Sequence, residues 1–238
     1  MRLLQVLKQD LKFQFRHGFY HAYLVISVLY ILLLLYVPGE YRAFAAGIIV
    51  FSDPAMLGFF FVGALLLLER DENILEGLFV TPLRVGEYLA ARVVSLAVLA
   101  LITAFIIAVI ALGFNFNFIL LFLGLTLTAC FFTLLGVTVA VRVETVNQYL
   151  LTSIFYSVVI SLPLLEFLGL FETVLFYLWP TRASLVLIFA AFGTGVQMWE
   201  LIYTVFILVV WIVIAYHWAY SWFYRYIIMK TGDVRWKK

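Results

Sequence analysis

Long apolar runs separated by brief polar breaks dominate the chain. Each run that approaches 20 residues is long enough to cross a bilayer as a helix, and the pattern predicts six such spans, at about 20–37, 44–68, 93–112, 118–141, 149–165 and 201–223. Residues 3–18 read differently. Leu3, Leu7, Leu11 and Phe15 form one i, i+4 ridge, and Lys8, Lys12 and Arg16 form the next. That arrangement predicts a helix lying in the membrane interface, its basic side chains reaching toward headgroups as a membrane-surface anchor. The second run holds Ser52-Asp53-Pro54, so the spacing predicts a kinked or two-piece span entered near Phe44. There Asp53 reads first as the cap of a helix starting at Pro54 and alternatively as a polar group lining a pathway. Residues 167–195 are cut by Gly169, Pro180 and Gly193 into apolar pieces too short to span. Pieces of that length read as re-entrant or interfacial helices, here entering from the outer side, and Glu166 at their edge is a second candidate pathway residue.

The central polar stretch, Glu69 to Leu89, gathers Glu69, Arg70, Asp71, Glu72, Glu76, Arg84 and Glu87 between two apolar runs. Within it Ile74, Leu75, Leu78 and Phe79 recur at i, i+1, i+4, i+5, an apolar stripe on a short helix over 72–80. Pro82 disfavours helical geometry at Thr81 and ends that helix. A charged loop between spans is ordinary; a striped amphipathic helix inside one is not.

Charge sets the orientation. Of the 15 Lys and Arg, only Arg42 and Arg182 fall outside the N-terminal segment, the 69–92 region, the 142–148 break and the tail. The positive-inside rule then places both termini and the central loop in the cytosol, which requires an even number of spans. Composition agrees: 66% of residues are hydrophobic and 12% charged, with 24 Phe and 14 Tyr, so the chain reads as an all-α, polytopic protein of the cell membrane. Cys130, in an apolar run, reads as a small buried hydrophobe. His17 and His21 share a helix face but lack an evident third ligand, so no metal site is expected. No phosphate-binding G-x-x-x-x-G-K-[ST] loop occurs, so the chain does not hydrolyse ATP in that manner. The short basic tail reads as a lipid contact, not a nucleic-acid site.

Certain motifs resemble a known family. Glu69 leaving a span, Leu75-Glu76-Gly77-Leu78, Val80-Thr81-Pro82-Leu83 and Glu87-Tyr88-Leu89 resemble the first cytosolic loop of ABC-2 type transporter permeases. Ser52-Asp53-Pro54-Ala55 and Gly58-Phe59-Phe60-Phe61 resemble the small bacterial drug-export permeases of that family, including those labelled fluoroquinolone exporters. The resemblance implies that 72–80 is a coupling helix docking on a separate ATP-binding cassette ATPase, with Glu69, Arg70, Glu72, Ile74, Leu75, Glu76, Leu78, Phe79, Thr81, Pro82, Glu87 and Tyr88 at or near the contact. It implies that 3–18 is the elbow helix, that two permease chains pair, most simply as a homodimer, and that ATP and Mg bind the partner subunit, leaving no cofactor in this chain. The expected activity is export of an amphipathic small molecule or drug. The alternatives are export of a lipid or polysaccharide precursor, a small intramembrane enzyme, and an assembly protein without cargo.

Overall fold

The fold is described by a computed structural model, which covers residues 2–75 and 84–229. Its regular elements are all helical. Helix α1 (Arg2–Arg16) lies against the body of the protein, and α2 (Phe19–Tyr36) follows after a turn at Gly18, whose φ of 76° suits a residue without Cβ. Next come α3 (Gly39–Ser52) and α4 (Gly58–Asp71), joined through a π turn over Asp53–Leu57. Helix α5 spans Val85–Leu112, α6 Phe118–Ala140 and α7 Val146–Ile160. The short α8 (Leu164–Phe167), a 3-10 turn at Val174–Leu178 and α9 (Pro180–Ala191) lead to α10 (Met198–Phe223), which ends in a second π turn at Tyr224–Met229.

Among the described residues, five helical stretches are long and apolar enough to cross a membrane: Phe19–Tyr36, Gly39–Asp71, Val85–Leu112, Phe118–Ala140 and Met198–Met229. The protein is therefore a multi-pass membrane protein. Helix α7, with 15 residues, reaches about 22 Å at 1.5 Å per residue, less than the roughly 30 Å hydrocarbon core. The run expected as one span over 149–165 is broken at Pro163, between α7 and α8.

The second stretch departs from its expected form in an informative way. Pro54 has no N–H and its ring crowds the preceding turn, which would ordinarily break the helix. The backbone instead widens to π geometry and continues, giving 33 residues from Gly39 to Asp71. Asp53 is consequently not a helix cap. It is helical itself (φ −61°, ψ −61°) and buried inside the protein. The stretch begins at Gly39, five residues before the expected entry at Phe44, and the third span begins at Val85, eight before Val93.

Helix α6 is the central post, in contact with α4, α5, α9 and α10. Asn117 starts it, its side chain accepting the Ile119 and Leu120 N–H groups at 3.1 Å each. Small residues set the close approaches. A Cβ at Gly136 would stand 2.7 Å from the Phe59 carbonyl oxygen, and one at Gly63 would stand 1.9 Å from the Tyr149 ring. Such packing lets helices associate where lipid offers no hydrophobic contrast. Helix α9 is about 18 Å long, too short to cross, yet all 12 of its residues are buried. It packs on α3, α6 and α10, the protein-enclosed setting in which short membrane helices are tolerated. Helices α2 and α10 expose Leu24, Leu29, Leu32, Ile202, Phe206 and Val213, the apolar surface that a bilayer covers.

Candidate functional site

The central polar stretch is built onto a buried ionic node. Helix α4 ends at Asp71; Glu72 and Asn73 make the turn, with Asn73 in the left-handed region at φ 57°, where Asn is better tolerated than most residues. Helix α5 restarts at Val85, where the Arg84 N–H donates to the Glu87 carboxylate at 3.0 Å and so caps the first turn. Glu69, in the last turn of α4, thereby faces Tyr88 and Arg92 on the first turns of α5. The Tyr88 hydroxyl donates to Glu69 at 2.6 Å, and the Arg92 guanidinium reaches Glu69 at 2.5 Å and donates to the Tyr88 oxygen at 3.0 Å.

The third wall is α1. Asp10 accepts from the Arg92 guanidinium and from the Ser95 hydroxyl. Gln14, one turn on, donates to Asp10 at 3.1 Å and to Ser95 at 2.9 Å. One guanidinium thus holds two carboxylates from two other helices, with Arg92 2% and Asp10 6% exposed. Burial pushes the Asp10 carboxyl up from its ordinary range, opposed by Arg92 and by the Ser95 hydrogen bond. Removing one partner from such a node would strand the other charge in a medium that solvates it poorly. Beside the node opens a cavity of about 410 Å³, lined by Val6, Phe13 and Ile74 together with Asp10, Glu69 and Arg92.

The remaining charges of the stretch tie down neighbours. Arg70 donates to the Val143 carbonyl at 3.1 Å, joining the end of α4 to the turn between α6 and α7. Glu72 stands 3.2 Å from His17. His17 therefore faces a carboxylate, and among the described residues no group of three or more His, Cys, Asp or Glu is placed to hold a metal. Leu75 is buried and Ile74 partly so. Glu76, Leu78, Phe79, Thr81 and Pro82 lie outside the described residues.

Comparison with known proteins identifies the chain. Residues 1–231 match the model of the fluoroquinolones export permease protein family. The chain belongs to that family. Relatives include the fluoroquinolones export permease proteins of Mycobacterium tuberculosis strains CDC 1551 / Oshkosh and ATCC 25618 / H37Rv, each 29% identical over 233 residues that cover 97% of this chain and 98% of the relative.

In this permease the other sequence-level candidates stand apart from the node. Lys8, Lys12 and Arg16 are exposed, on the side of α1 away from Asp10 and Gln14. Asp53 is fully buried and accepts from the Thr103 hydroxyl of α5, about 16 Å along the helix from Arg92 at 1.5 Å per residue. Glu166 takes a forked contact from the Arg182 Nε, 2.9 and 3.1 Å to its two oxygens, while Arg182 also approaches Glu200 at 3.7 Å and stacks 3.6 Å over the Tyr177 ring. That second ionic group pins α8, α9 and α10 together. Asp10, Gln14, Arg92 and Ser95 escape the sequence reading. A lone Asp among the Lys and Arg of an amphipathic helix, and a lone Arg two turns inside an apolar helix, are the signals that mark them.

Proposed function

We propose that this permease forms the membrane path of an ATP-binding cassette exporter for amphipathic drugs of the fluoroquinolone type, with a separate subunit binding and hydrolysing ATP and Mg. The observation that carries the reading is the node. It fastens α1, the end of α4 and the start of α5 into one block on either side of the central loop. A push on a coupling helix at 72–80 is then delivered to three helices at once, not absorbed by a loose loop. Ile74 and Leu75 begin the apolar stripe that the sequence continues at Leu78 and Phe79, the residues proposed to meet the ATPase. Burying one such side chain at a partner surface contributes roughly 1.5–3 kcal/mol, more than rim charges such as Glu72 and Glu76 usually do.

In this reading both termini and the node face the cytosol, and Lys8, Lys12 and Arg16 hold α1 on the inner leaflet, each worth about 1 kcal/mol against anionic lipid. Two copies pair around a shared cavity, whose access alternates as the ATPases close and open. Support for the cargo comes from the family and its relatives. The test is accumulation of a fluoroquinolone in cells that express the permease with its ATPase: lower accumulation than in cells carrying the ATPase alone supports the reading, and equal accumulation removes it.

A further inference from the structure

The node accounts for the cytosolic charges but leaves Asp53 unexplained. Its carboxyl is fully buried on the π turn in the middle of a helix running from Gly39 to Asp71. Oδ2 accepts from Thr103, while Oδ1 is buried with no hydrogen-bond partner. The ion pairs among the described residues all lie elsewhere. On α2, Tyr23 is 1% exposed and its hydroxyl is also without a hydrogen-bond partner. Ser52 and Tyr30 meet at 3.4 Å alongside, and Phe61 packs edge-on against Tyr23 with ring centroids 4.9 Å apart. Asp53 Oδ1 and the Tyr23 hydroxyl thus both go unsatisfied while buried, and each such group costs free energy. An ionised carboxylate there requires a positive charge beside it. A carboxylate next to aromatic rings is the chemistry that holds an organic ammonium, by charge and by ring face together.

We propose that Asp53, with Tyr23, is the recognition site for a protonated amine on the exported compound. This rests on the drug-export reading above and names the part of the cargo that the permease reads. The ammonium N–H groups donate to Asp53 Oδ1 and to the Tyr23 hydroxyl oxygen, the two acceptors left over in the closed arrangement. Helix α2, with most of its surface outside the protein core, is the wall whose displacement opens the site. The π turn at Asp53–Leu57 carries the helix past Pro54 and leaves Asp53 against Thr103 of α5.

The test uses the purified full-length permease in nanodiscs and two fluorescent probes, ciprofloxacin and N-acetylciprofloxacin, the second lacking the basic amine. Wild type should bind ciprofloxacin about 30-fold or more tightly than the acetylated form, the loss expected when one member of a buried charge pair is removed. Asp53→Asn, which preserves shape, should abolish that preference while leaving affinity for the acetylated probe unchanged. Tyr23→Phe should reduce the preference severalfold, and Glu172→Gln, on the exposed outer loop, should leave it intact. Should Asp53→Asn fail to fold, the Tyr23→Phe result decides, and an unchanged preference in that variant overturns the proposal. A folded Asp53→Asn protein that still prefers ciprofloxacin also overturns it. Equal binding of the two probes by wild type overturns the amine site and leaves the drug-export reading standing; binding of neither overturns both.

Discussion

Arg92 and Asp10, 82 residues apart in the sequence, are joined through a buried ion pair that fixes the N-terminal helix to the start of the third long span. Glu69 completes the group from a third helix. The node joins three helices at this end of the permease into a single unit.

The first expectation concerns that unit. Arg92→Gln leaves Asp10 and Glu69 buried without their cation, and should destabilise the permease by about 3–5 kcal/mol. The triple variant Asp10→Asn, Glu69→Gln, Arg92→Gln, which removes every charge of the group, should recover much of that loss. Thermal unfolding in detergent measures both. A loss in Arg92→Gln below about 1 kcal/mol, the value typical of an exposed pair, would mean that the node does not hold the helices.

The second concerns pH. Burial, the largest influence, raises the Asp10 carboxyl above its ordinary value of 3.8, with Arg92 and Ser95 opposing. A raised value means that the folded protein holds this proton more firmly than the unfolded chain does. The associated stability is fully present below the ordinary value and is lost as pH rises through the folded value. Wild type should therefore lose stability relative to Asp10→Asn as pH climbs above the ordinary carboxylate value of 3.8. A difference that stays flat, or runs the other way, across a pH series of melting temperatures would contradict this.

The third concerns packing. Any side chain at Gly63 meets the Tyr149 ring, whose hydroxyl is itself bonded to the Phe59 carbonyl. Gly63→Ala should cost about 1–3 kcal/mol by overpacking. Tyr149→Leu should relieve part of that cost, a coupling visible in a double-mutant cycle. Strict additivity of the two changes would show that the helices separate freely here.

The fourth concerns topology. In a Cys130→Ala background, a cysteine at Glu172, which is exposed, should react with an impermeant thiol reagent from outside. One at Arg182, 6% exposed within α9, should react slowly or not at all. Labelling of Glu172→Cys only from the cytosolic side would reverse the orientation.

What the sequence revealed and what it hid follow from the range of each signal. Apolar runs and the polar breaks between them are local patterns, and local patterns mark elements. Arg92 reads as a loop residue in the sequence, because a basic residue at the edge of an apolar run ordinarily belongs to a loop. The helix begins two turns earlier because Glu87 caps it and Asp10 neutralises the arginine from across the fold. Asp10 itself was masked by the basic ridge of Lys8, Lys12 and Arg16, which occupies the other side of the same helix. Asp53 followed a local rule that tertiary structure overrode. Asp-Pro is a common helix start, but here a π turn keeps the helix going and Thr103 from α5 takes the side chain. No pattern along the chain could announce which residue on another helix would be the partner.

The account rests most heavily on coupling through the central loop, and one measurement addresses it directly. The permease is reconstituted with its ATPase in vesicles loaded with a fluoroquinolone, and ATP-driven movement of the drug is followed for wild type and for Leu78→Asp, a position outside the described residues. We expect ATP-dependent transport by wild type, and for the variant a loss of transport together with loss of ATPase co-purification or of drug-stimulated hydrolysis, with insertion of the spans unchanged. Transport and co-purification at wild-type levels in Leu78→Asp would contradict the account, because the central stretch would then be an ordinary loop.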